Sequence, residues 1–351
     1  MRRLSFADLE EGRERRGTLA LLFITDRCPV GCGHCSVDSR PDSPRITDFA
    51  LFEEVVEGLC ALPDARVVGI SGGEPFIERR GLTYASRRIT EAGKDLILYT
   101  SGFWGPAGTD GAPGTAGADG GGARLAPEWA RAVLRRASTV YLSTDAYHEE
   151  SVHEHRFAAA ARAVAAEDVW LVVQVMNEPR MVERAGELLR AAFGPDWASH
   201  AEVATAPPLP YGRAGSLDSH LFRRERPRYP AESFGKCQTA NVPVIRYDGT
   251  TTMCCNEMVI TGAGPARLRR RCTTREEVTA ALGGFTRDSL YRAIGTVGPG
   301  LVTAHPRYQD LAGREFASVC ELCWVMAKRA PEDARDNLID AIRVLGEERV
   351  G

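Results

Sequence analysis

The sequence has no apolar stretch that approaches the roughly 18 residues needed for a membrane-spanning helix. Its first residues, Met1 to Ser5, lack the apolar segment of a secretory signal peptide. The formal net charge is only −3, so the chain has no excess of basic residues with which to bind nucleic acid. These absences predict a cytoplasmic protein that partners neither a membrane nor nucleic acid.

Cysteine, by contrast, is plentiful, with ten residues in a chain of 351. The remaining composition, 44% hydrophobic and 26% charged residues, is ordinary for a globular chain with one large domain or two modest ones. Disulfides are rare in a reducing compartment, where clustered thiols more often bind metal. The cysteine content therefore indicates metal binding rather than disulfide bonding.

Three of these cysteines share one short segment, Cys28-Pro29-Val30-Gly31-Cys32-Gly33-His34-Cys35. It follows an apolar run, Leu19 to Ile24, which predicts a buried strand. Three thiolates in one loop can converge on a single metal centre, and soft sulfur ligands select zinc or iron–sulfur clusters. A structural zinc site usually takes a fourth protein ligand. A [4Fe–4S] cluster held by three cysteines leaves one iron open for a ligand that is not protein.

The Cys-x3-Cys-x2-Cys spacing behind a strand resembles the cluster loop of the radical S-adenosylmethionine (SAM) superfamily. That resemblance implies a partial (β/α)6 TIM-like barrel in which Cys28, Cys32 and Cys35 hold a [4Fe–4S] cluster and SAM chelates the open iron. Reduction of the cluster would cleave SAM to methionine and a 5′-deoxyadenosyl radical. His34 stands where the family usually has an aromatic residue, and its ring can still stack on adenine. A zinc knuckle is the alternative interpretation of the spacing alone.

A second loop supports the same resemblance. The strand predicted from Arg66 to Ser71 runs into Gly72-Gly73-Glu74-Pro75, which resembles the SAM-binding motif of the family. The glycines allow a close backbone approach, and the Glu74 carboxylate can pair with an ammonium group. The resemblance implies that this loop receives the methionine ammonium of SAM.

Strands and helices continue to alternate along the chain, which predicts an α/β fold with a parallel sheet. Closure into a partial barrel follows from the resemblance. In barrels of this type the carboxyl ends of the strands carry the chemistry. Those ends contribute three candidate SAM-binding residues, Thr100, Ser101 and Ser143. Thr144 is a further pocket residue, and Asp145 is a candidate catalytic carboxylate. Ser143 to Asp145 resembles the Ser-x-Asp segment of the family's fourth strand. For His148, capping, solvation and catalysis all stay open.

Two segments lack such chemistry. Glycine recurs at every third position from Gly105 to Gly120, in too few triplets for a collagen helix, which predicts a disordered surface insertion at about 104–123. The charged residues 1–17 predict an exposed arm with a short helical piece. That arm is too short for the winged-helix leader-binding domain of many peptide-modifying radical SAM enzymes.

A second group of cysteines lies in the C-terminal part of the chain. Two runs, Val242 to Tyr247 and Thr250 to Cys254, flank Asp248-Gly249, and this pattern predicts a hairpin. The pattern Cys237-x11-Gly249-x4-Cys254 resembles the start of a SPASM domain, and the later pair Cys320 and Cys323 completes a set of four. With no cysteine beyond them, the set resembles the shorter Twitch domain. That resemblance implies one auxiliary [4Fe–4S] cluster, with a zinc ribbon as the alternative.

Two further cysteines of the C-terminal part, Cys255 and Cys272, lie outside this set of four. Adjacent strand residues point to opposite faces, so only one of Cys254 and Cys255 reaches the cluster, and the glycine spacing favours Cys254. Cys272 follows Arg269-Arg270-Arg271, whose charges are expected to lower its pKa. It is either a bystander on a solvated loop or a catalytic donor of a hydrogen atom to a substrate radical.

These observations divide the chain into an N-terminal arm (1–17), a radical SAM core (18–214), a small α+β Twitch-type domain (215–330) and a C-terminal helix (331–351). The resemblance implies a radical SAM oxidoreductase of a biosynthetic pathway, in which the auxiliary cluster takes part in a net oxidation. Aminocyclitol and sugar dehydrogenases of this class have a single auxiliary cluster. A small molecule or short peptide is the expected substrate, and a flavodoxin- or ferredoxin-type protein the expected electron donor.

Two alternatives stay open. The first is a peptide-modifying enzyme that cross-links or epimerises, the epimerase using a cysteine as hydrogen donor. The second is a non-catalytic iron–sulfur or zinc protein that senses redox state or binds a partner. The Gly-Gly-Glu-Pro loop speaks against the second, because a redox sensor has no need of a SAM-binding loop.

Overall fold

The computed structural model describes residues 2–105, 126–217, 220–222, 227–331 and 335–350. Its centre is a nine-stranded sheet in which six parallel strands lie side by side in chain order. Those strands are β1 (Leu19–Phe23), β2 (Val67–Ser71), β3 (Asp95–Thr100), β4 (Thr139–Ser143), β5 (Trp170–Met176) and β6 (Ala201–Ala206). The predicted parallel α/β architecture is confirmed.

Helices follow these strands and cover one face of the sheet. Helix α1 (Phe6–Glu14) precedes β1, and the others are α2 (Phe49–Cys60), α3 (Arg79–Glu91), α4 (Glu128–Leu134), α5 (Ala146–Glu149), α6 (Glu154–Ala166) and α7 (Pro179–Phe193). Asp48 caps α2 by accepting a hydrogen bond from the Leu51 amide. The apolar side chains that recur at helical spacing in α2 are completely buried against the sheet: Phe52, Val55, Val56 and Leu59.

The other face of the sheet forms the inside of an open barrel. β6 lies at one end of the sheet and a C-terminal strand lies at the other, so the barrel is partial, as expected. The inward side chains near the start of the strands form one apolar cluster with Leu4 and Leu9: Leu19, Val67, Ile97, Tyr141, Val172 and Ala204. The short helical piece expected within residues 1–17 is present as α1, but the expectation that the arm is exposed is wrong, because Leu4 and Leu9 are buried. Helix α1 closes the amino-terminal end of the barrel because its apolar residues find these non-local partners.

The C-terminal part extends the same sheet and builds a second core. The predicted hairpin is confirmed as β8 (Val244–Arg246) and β9 (Thr250–Thr252), and β8 pairs in parallel with β1. β10 (Arg269–Arg271) adds to β9, while β7 (Tyr229–Pro230) and β11 (Glu315–Phe316) form a separate ribbon. The helices are α8 (Glu257–Ile260), α9 (Arg275–Arg287), α10 (Ser289–Thr296), α11 (Pro299–Val302), α12 (Val319–Arg329) and α13 (Asn337–Val350).

Two local expectations fall partly outside the described residues or need correction. Positions 106–123 of the predicted insertion lie outside them, but Trp104 at its start is buried and stacks on Phe76 at 4.7 Å between ring centroids. The alanine-rich stretch at about 149–166 predicts one long helix, but α6 begins only at Glu154, and Glu149 ends the separate helix α5, which Asp145 caps. No helix in the described ranges is long and apolar enough to cross a membrane.

Candidate functional site

A cavity of about 300 Å³ opens at the carboxyl ends of the parallel strands. Nine of the sequence-predicted residues line it together: Cys28, Cys32, Cys35, His34, Gly72, Gly73, Thr100, Ser101 and Ser143. Asp145 and His148 also reach its wall. Parallel strands bring their carboxyl ends to one edge, so residues far apart in the chain meet here.

The cysteine loop presents its three thiols to this cavity. The Cys28 amide donates to the Arg40 carbonyl at 3.0 Å, and the Ser39 amide donates to the Cys35 sulfur at 3.3 Å. Burial raises the pKa of Cys28 to about 11. A hydrogen bond with the Cys32 thiol lowers the pKa of Cys35. Three crowded, mostly buried thiols of this kind fit a cationic centre that removes their protons.

Gly72 and Gly73 let the second loop lie directly against the cysteine loop. The Gly73 amide donates to the Thr25 carbonyl at 2.7 Å, and the next amide donates to the Arg27 carbonyl at 2.9 Å. A Cβ on Gly73 would lie 2.1 Å from the Arg27 oxygen, and one on Gly72, where φ is +137°, would lie 2.4 Å from the Thr25 oxygen. Only glycine permits this contact, which fixes the distance between the two loops.

Glu74 occupies a different place from the one expected of a SAM ligand. Its side chain is 1% exposed and does not line the cavity. The carboxylate accepts hydrogen bonds from the Ser101 amide (2.8 Å), the Ser101 hydroxyl (2.6 Å), the Thr100 hydroxyl (2.8 Å) and the Phe76 amide (3.1 Å). Burial raises the pKa of Glu74, and these hydrogen bonds oppose that shift. Glu74 therefore ties the end of β3 to the Gly-Gly loop, and Pro75, also buried, begins a 3-10 turn.

We expect the substitution Glu74→Gln to destabilise the fold and to weaken SAM binding as a consequence. One carboxylate oxygen becomes an amide NH2. On either side it would face a backbone N–H, that of Ser101 or that of Phe76, which then loses its acceptor. A buried group left unsatisfied costs about 1–3 kcal/mol in the free energy of unfolding. Urea unfolding measures this loss, with Glu150→Gln on the exposed surface as the matched control. Equal free energies for the two variants would contradict the structural role of Glu74.

The Asp145 carboxylate contacts the imidazoles of His34 and His148. Its Oδ2 atom lies 3.1 Å from His34 Nε2, and its Oδ1 atom lies 3.0 Å from His148 Nδ1. Oδ1 also accepts hydrogen bonds from the backbone amides of Tyr147 and His148. Burial alone would raise its pKa, but the close approach of both imidazoles holds the pKa of Asp145 well below its usual range. The His34 ring stacks on Tyr147 at 5.0 Å. The predicted catalytic carboxylate thus orients His34 toward the cavity.

Four cysteines of the C-terminal part meet in a separate, mainly apolar pocket: Cys237, Cys254, Cys320 and Cys323. Cys320 and Cys323 lie one turn apart at the start of α12, which Ser318 caps. Burial raises the pKa of Cys323 well above its ordinary value, and the neighbouring thiols of Cys237 and Cys320 add to the shift. Four thiolates this close together would repel one another, and a bound metal centre would neutralise their charges.

The structure separates the two ambiguous thiols. Cys254 lines the pocket with the other three, whereas Cys255 packs against the apolar cluster inside the barrel and interacts electrostatically with Tyr99, a residue of the cavity wall. Cys272 does not reach the cavity: it is 1% exposed in the main core, with its sulfur 3.8 Å from the Thr251 hydroxyl. Burial raises its pKa, so the expected lowering by the arginines is wrong. Because Cys272 is not among the residues that line the cavity, the structure does not place it as a hydrogen donor.

Sequence reasoning missed two residues of the site. The Arg213 guanidinium donates to the carbonyls of Cys32 (2.8 Å) and Ser39 (2.7 Å), and so braces the cysteine loop from the exit of β6. In the sequence, the segment Pro-Leu-Pro-Tyr-Gly-Arg-Ala, Pro208 to Ala214, was the signal that could have pointed to Arg213. Glu257, the first residue of α8, lines the cavity, and no motif announces it. Burial raises its pKa, and a hydrogen bond from its own backbone amide opposes that shift.

Three thiols on one wall of a cavity at the open end of a partial barrel are the ligands that a [4Fe–4S] cluster with one open iron would take, and the cavity could hold a small-molecule ligand beside them. Residues 22–178 match the family model described as the radical SAM superfamily. The chain therefore contains a radical SAM domain, which is a domain of an enzyme family that uses a [4Fe–4S] cluster and SAM.

Among curated proteins the chain is similar to "Putative peptide biosynthesis protein YydG" of Bacillus subtilis (strain 168), at 28% identity over 82 residues. That match covers 23% of this chain and only 26% of YydG. Similar solved structures include Streptococcus suis SuiB bound to precursor peptide SuiA (12% identity, 82% of this chain and 69% of that chain, TM-score 0.46). Another is anSMEcpe with bound AdoMet and Cp18Cys peptide (12% identity, 95% and 97% of the two chains, TM-score 0.46). At these scores the likeness carries no argument about this chain.

Proposed function

We propose that this protein is a radical SAM oxidoreductase that removes hydrogen from a substrate carbon and carries out a net oxidation, either a dehydrogenation or the formation of a cross-link. The observation that carries the proposal is the presence of two separate thiol sites, one with three cysteines beside the cavity and one with four. When bound, the two clusters and SAM supply a hydrogen-abstracting radical and an acceptor for the electron that an oxidised substrate loses.

The residues around the cavity have distinct roles in this proposal. Cys28, Cys32 and Cys35 hold the first cluster, and Arg213 keeps their loop in place through its carbonyl contacts. Gly72 and Gly73 place backbone against the cofactor, while His34, oriented by Asp145, faces the adenine. Cys237, Cys254, Cys320 and Cys323 hold the second, auxiliary [4Fe–4S] cluster. A flavodoxin- or ferredoxin-type protein would deliver the reducing electron.

The cavity favours a substrate that carries an amine. Of the residues that line it in the described part of the chain, none is lysine or arginine, whereas Glu257 and Asp145 are acidic. A phosphate or carboxylate group would be desolvated here without a cationic partner, which is unfavourable. An amine could instead pair with Glu257. Both an aminocyclitol-type intermediate and a short peptide meet this requirement, and the similarity to YydG favours the peptide.

Epimerisation is the second candidate, and Cys255 is the observation that favours it. This thiol is not part of the second cysteine site. It does not line the cavity itself, but it interacts electrostatically with Glu257 and Tyr99, both of which do. An epimerase is redox-neutral and needs a hydrogen atom delivered to the opposite face of the substrate carbon. Cys255 could deliver that atom if substrate binding brought its sulfur into the cavity.

Product analysis in D2O separates the two candidates. Reduced enzyme and SAM are incubated with candidate aminocyclitols and short peptides, and the product is examined by mass spectrometry. We expect a product that has lost hydrogen, with no solvent deuterium on carbon, and we expect Cys255→Ala to retain product formation within about tenfold, a barrier change of about 1.4 kcal/mol. Deuterium at an inverted carbon, together with an inactive Cys255→Ala enzyme, would establish the epimerase instead.

A further inference from the structure

The N-terminal segment places a buried cation beside the second cysteine site. The Arg16 guanidinium donates hydrogen bonds to the backbone carbonyls of Phe285 (2.7 Å), Tyr291 (3.2 Å) and Ala240. Ala240 itself lines the pocket that contains Cys237, Cys254, Cys320 and Cys323. Arg16 follows helix α1, so the segment that closes the barrel also reaches into the wall of this pocket.

The charge of Arg16 has no carboxylate partner within ion-pair distance in the described part of the chain. Asp288, the nearby acid, is instead bonded to Arg267 at 3.1 Å. The Nε atom of Arg16 is buried without a hydrogen-bond partner. Burial lowers the pKa of Arg16 to about 10. Burying a guanidinium without a counter-charge is unfavourable, so the site needs a negative charge that no carboxylate of the described residues supplies at ion-pair distance.

The four thiols are the source of that negative charge. Arg16 interacts electrostatically with two of them, Cys254 and Cys323, and its guanidinium is bonded to the carbonyl of Ala240 in the wall of their pocket. A [4Fe–4S] cluster held by four thiolates carries a net negative charge that grows when the cluster is reduced. A fixed cation nearby stabilises the reduced form more than the oxidised form, and local charge is one of the factors that set cluster potentials.

We propose that Arg16 is the counter-cation of the auxiliary cluster and raises its reduction potential, so that the cluster accepts an electron from the substrate. Arg16 is a positioning residue in this role, since it touches neither substrate nor cofactor atoms of the first site. This inference rests on the proposed function, because it requires that the second thiol site holds a [4Fe–4S] cluster.

The test is a redox titration monitored by electron paramagnetic resonance. It uses the full-length chain with Cys28, Cys32 and Cys35 replaced by alanine, so that only the auxiliary cluster contributes a signal. Adding Arg16→Gln is expected to lower the equilibrium constant for reduction at least tenfold, a shift of about 59 mV to more negative potential. Arg16→Lys keeps the charge and should restore most of the shift. Arg15→Gln is the matched control, because Arg15 is exposed and pairs with Glu11.

The outcomes are distinct. An unchanged potential in an Arg16→Gln protein that retains its iron overturns the proposal. If Arg16→Gln retains no iron, Arg16→Lys decides: recovery of both iron and potential supports the charge, and failure to recover either overturns it. A parent protein without iron would instead refute the proposed function of the second site, before Arg16 is tested.

Discussion

Replacing Gly73 with alanine is expected to abolish SAM cleavage. The added Cβ would lie 2.1 Å from the Arg27 carbonyl oxygen, a distance that real Cβ atoms do not show. The obstacle is backbone rather than a flexible side chain, so the two loops must move apart. A displacement of about 1 Å in an active site can cost about 100-fold in rate. The separation of these loops sets the relation between the three thiols and the cofactor, and the expected loss is at least that large.

The measurement is 5′-deoxyadenosine formation by the reduced protein. Gly284→Ala serves as the control, because a Cβ at that helical position meets nothing within 4 Å. The control should cleave SAM at the rate of the unmodified protein. A Gly73→Ala variant with normal SAM cleavage would show that the contact between the loops does not position the cofactor.

The second large effect is expected when Cys28, Cys32 and Cys35 are all replaced by alanine. These three thiols line the cavity, and the second group of four lies in a different pocket. The variant should lose SAM cleavage completely, because no other thiol is placed to hold a cluster there in the described residues. Its second site should be unaffected. Residual cleavage would mean that another part of the chain generates the radical.

Much of this architecture was predictable because its signals are local. The helical spacing of Phe52, Val55, Val56 and Leu59 in the sequence predicts a helix with one buried face, and these residues are buried in α2. The run from Leu19 to Ile24 predicted β1 for the same reason. The two glycines of the Gly-Gly loop announced a close approach, which the structure places against Thr25 and Arg27.

The errors concern contacts that depend on distant parts of the chain. The role of Glu74 is set by Thr100 and Ser101, which reach it only after β3 has paired with β2. Residues 1–17 are highly charged, yet Leu4 and Leu9 suffice to seat α1 because the open end of the barrel offers them an apolar cluster.

The error about Cys272 has the same cause, because the burial of its side chain depends on distant parts of the chain. Its arginine neighbours lie on β10, but the thiol itself faces the core, so burial and not the basic run decides its pKa. Glu257 could not be found from sequence at all, because its only signal is its position three residues beyond Cys254. Its importance arises from where α8 meets the cavity.

Metal content tests the central claim, that the chain holds two clusters in two thiol sites, most directly. Anaerobically reconstituted protein should contain about eight iron and eight sulfide per chain, and the Cys28, Cys32 and Cys35 triple variant about four of each, as two cubanes and one require. Iron and sulfide analysis, with Mössbauer spectroscopy for cluster type, gives the answer. Zinc in the wild-type protein, or a triple variant without iron, would contradict the account.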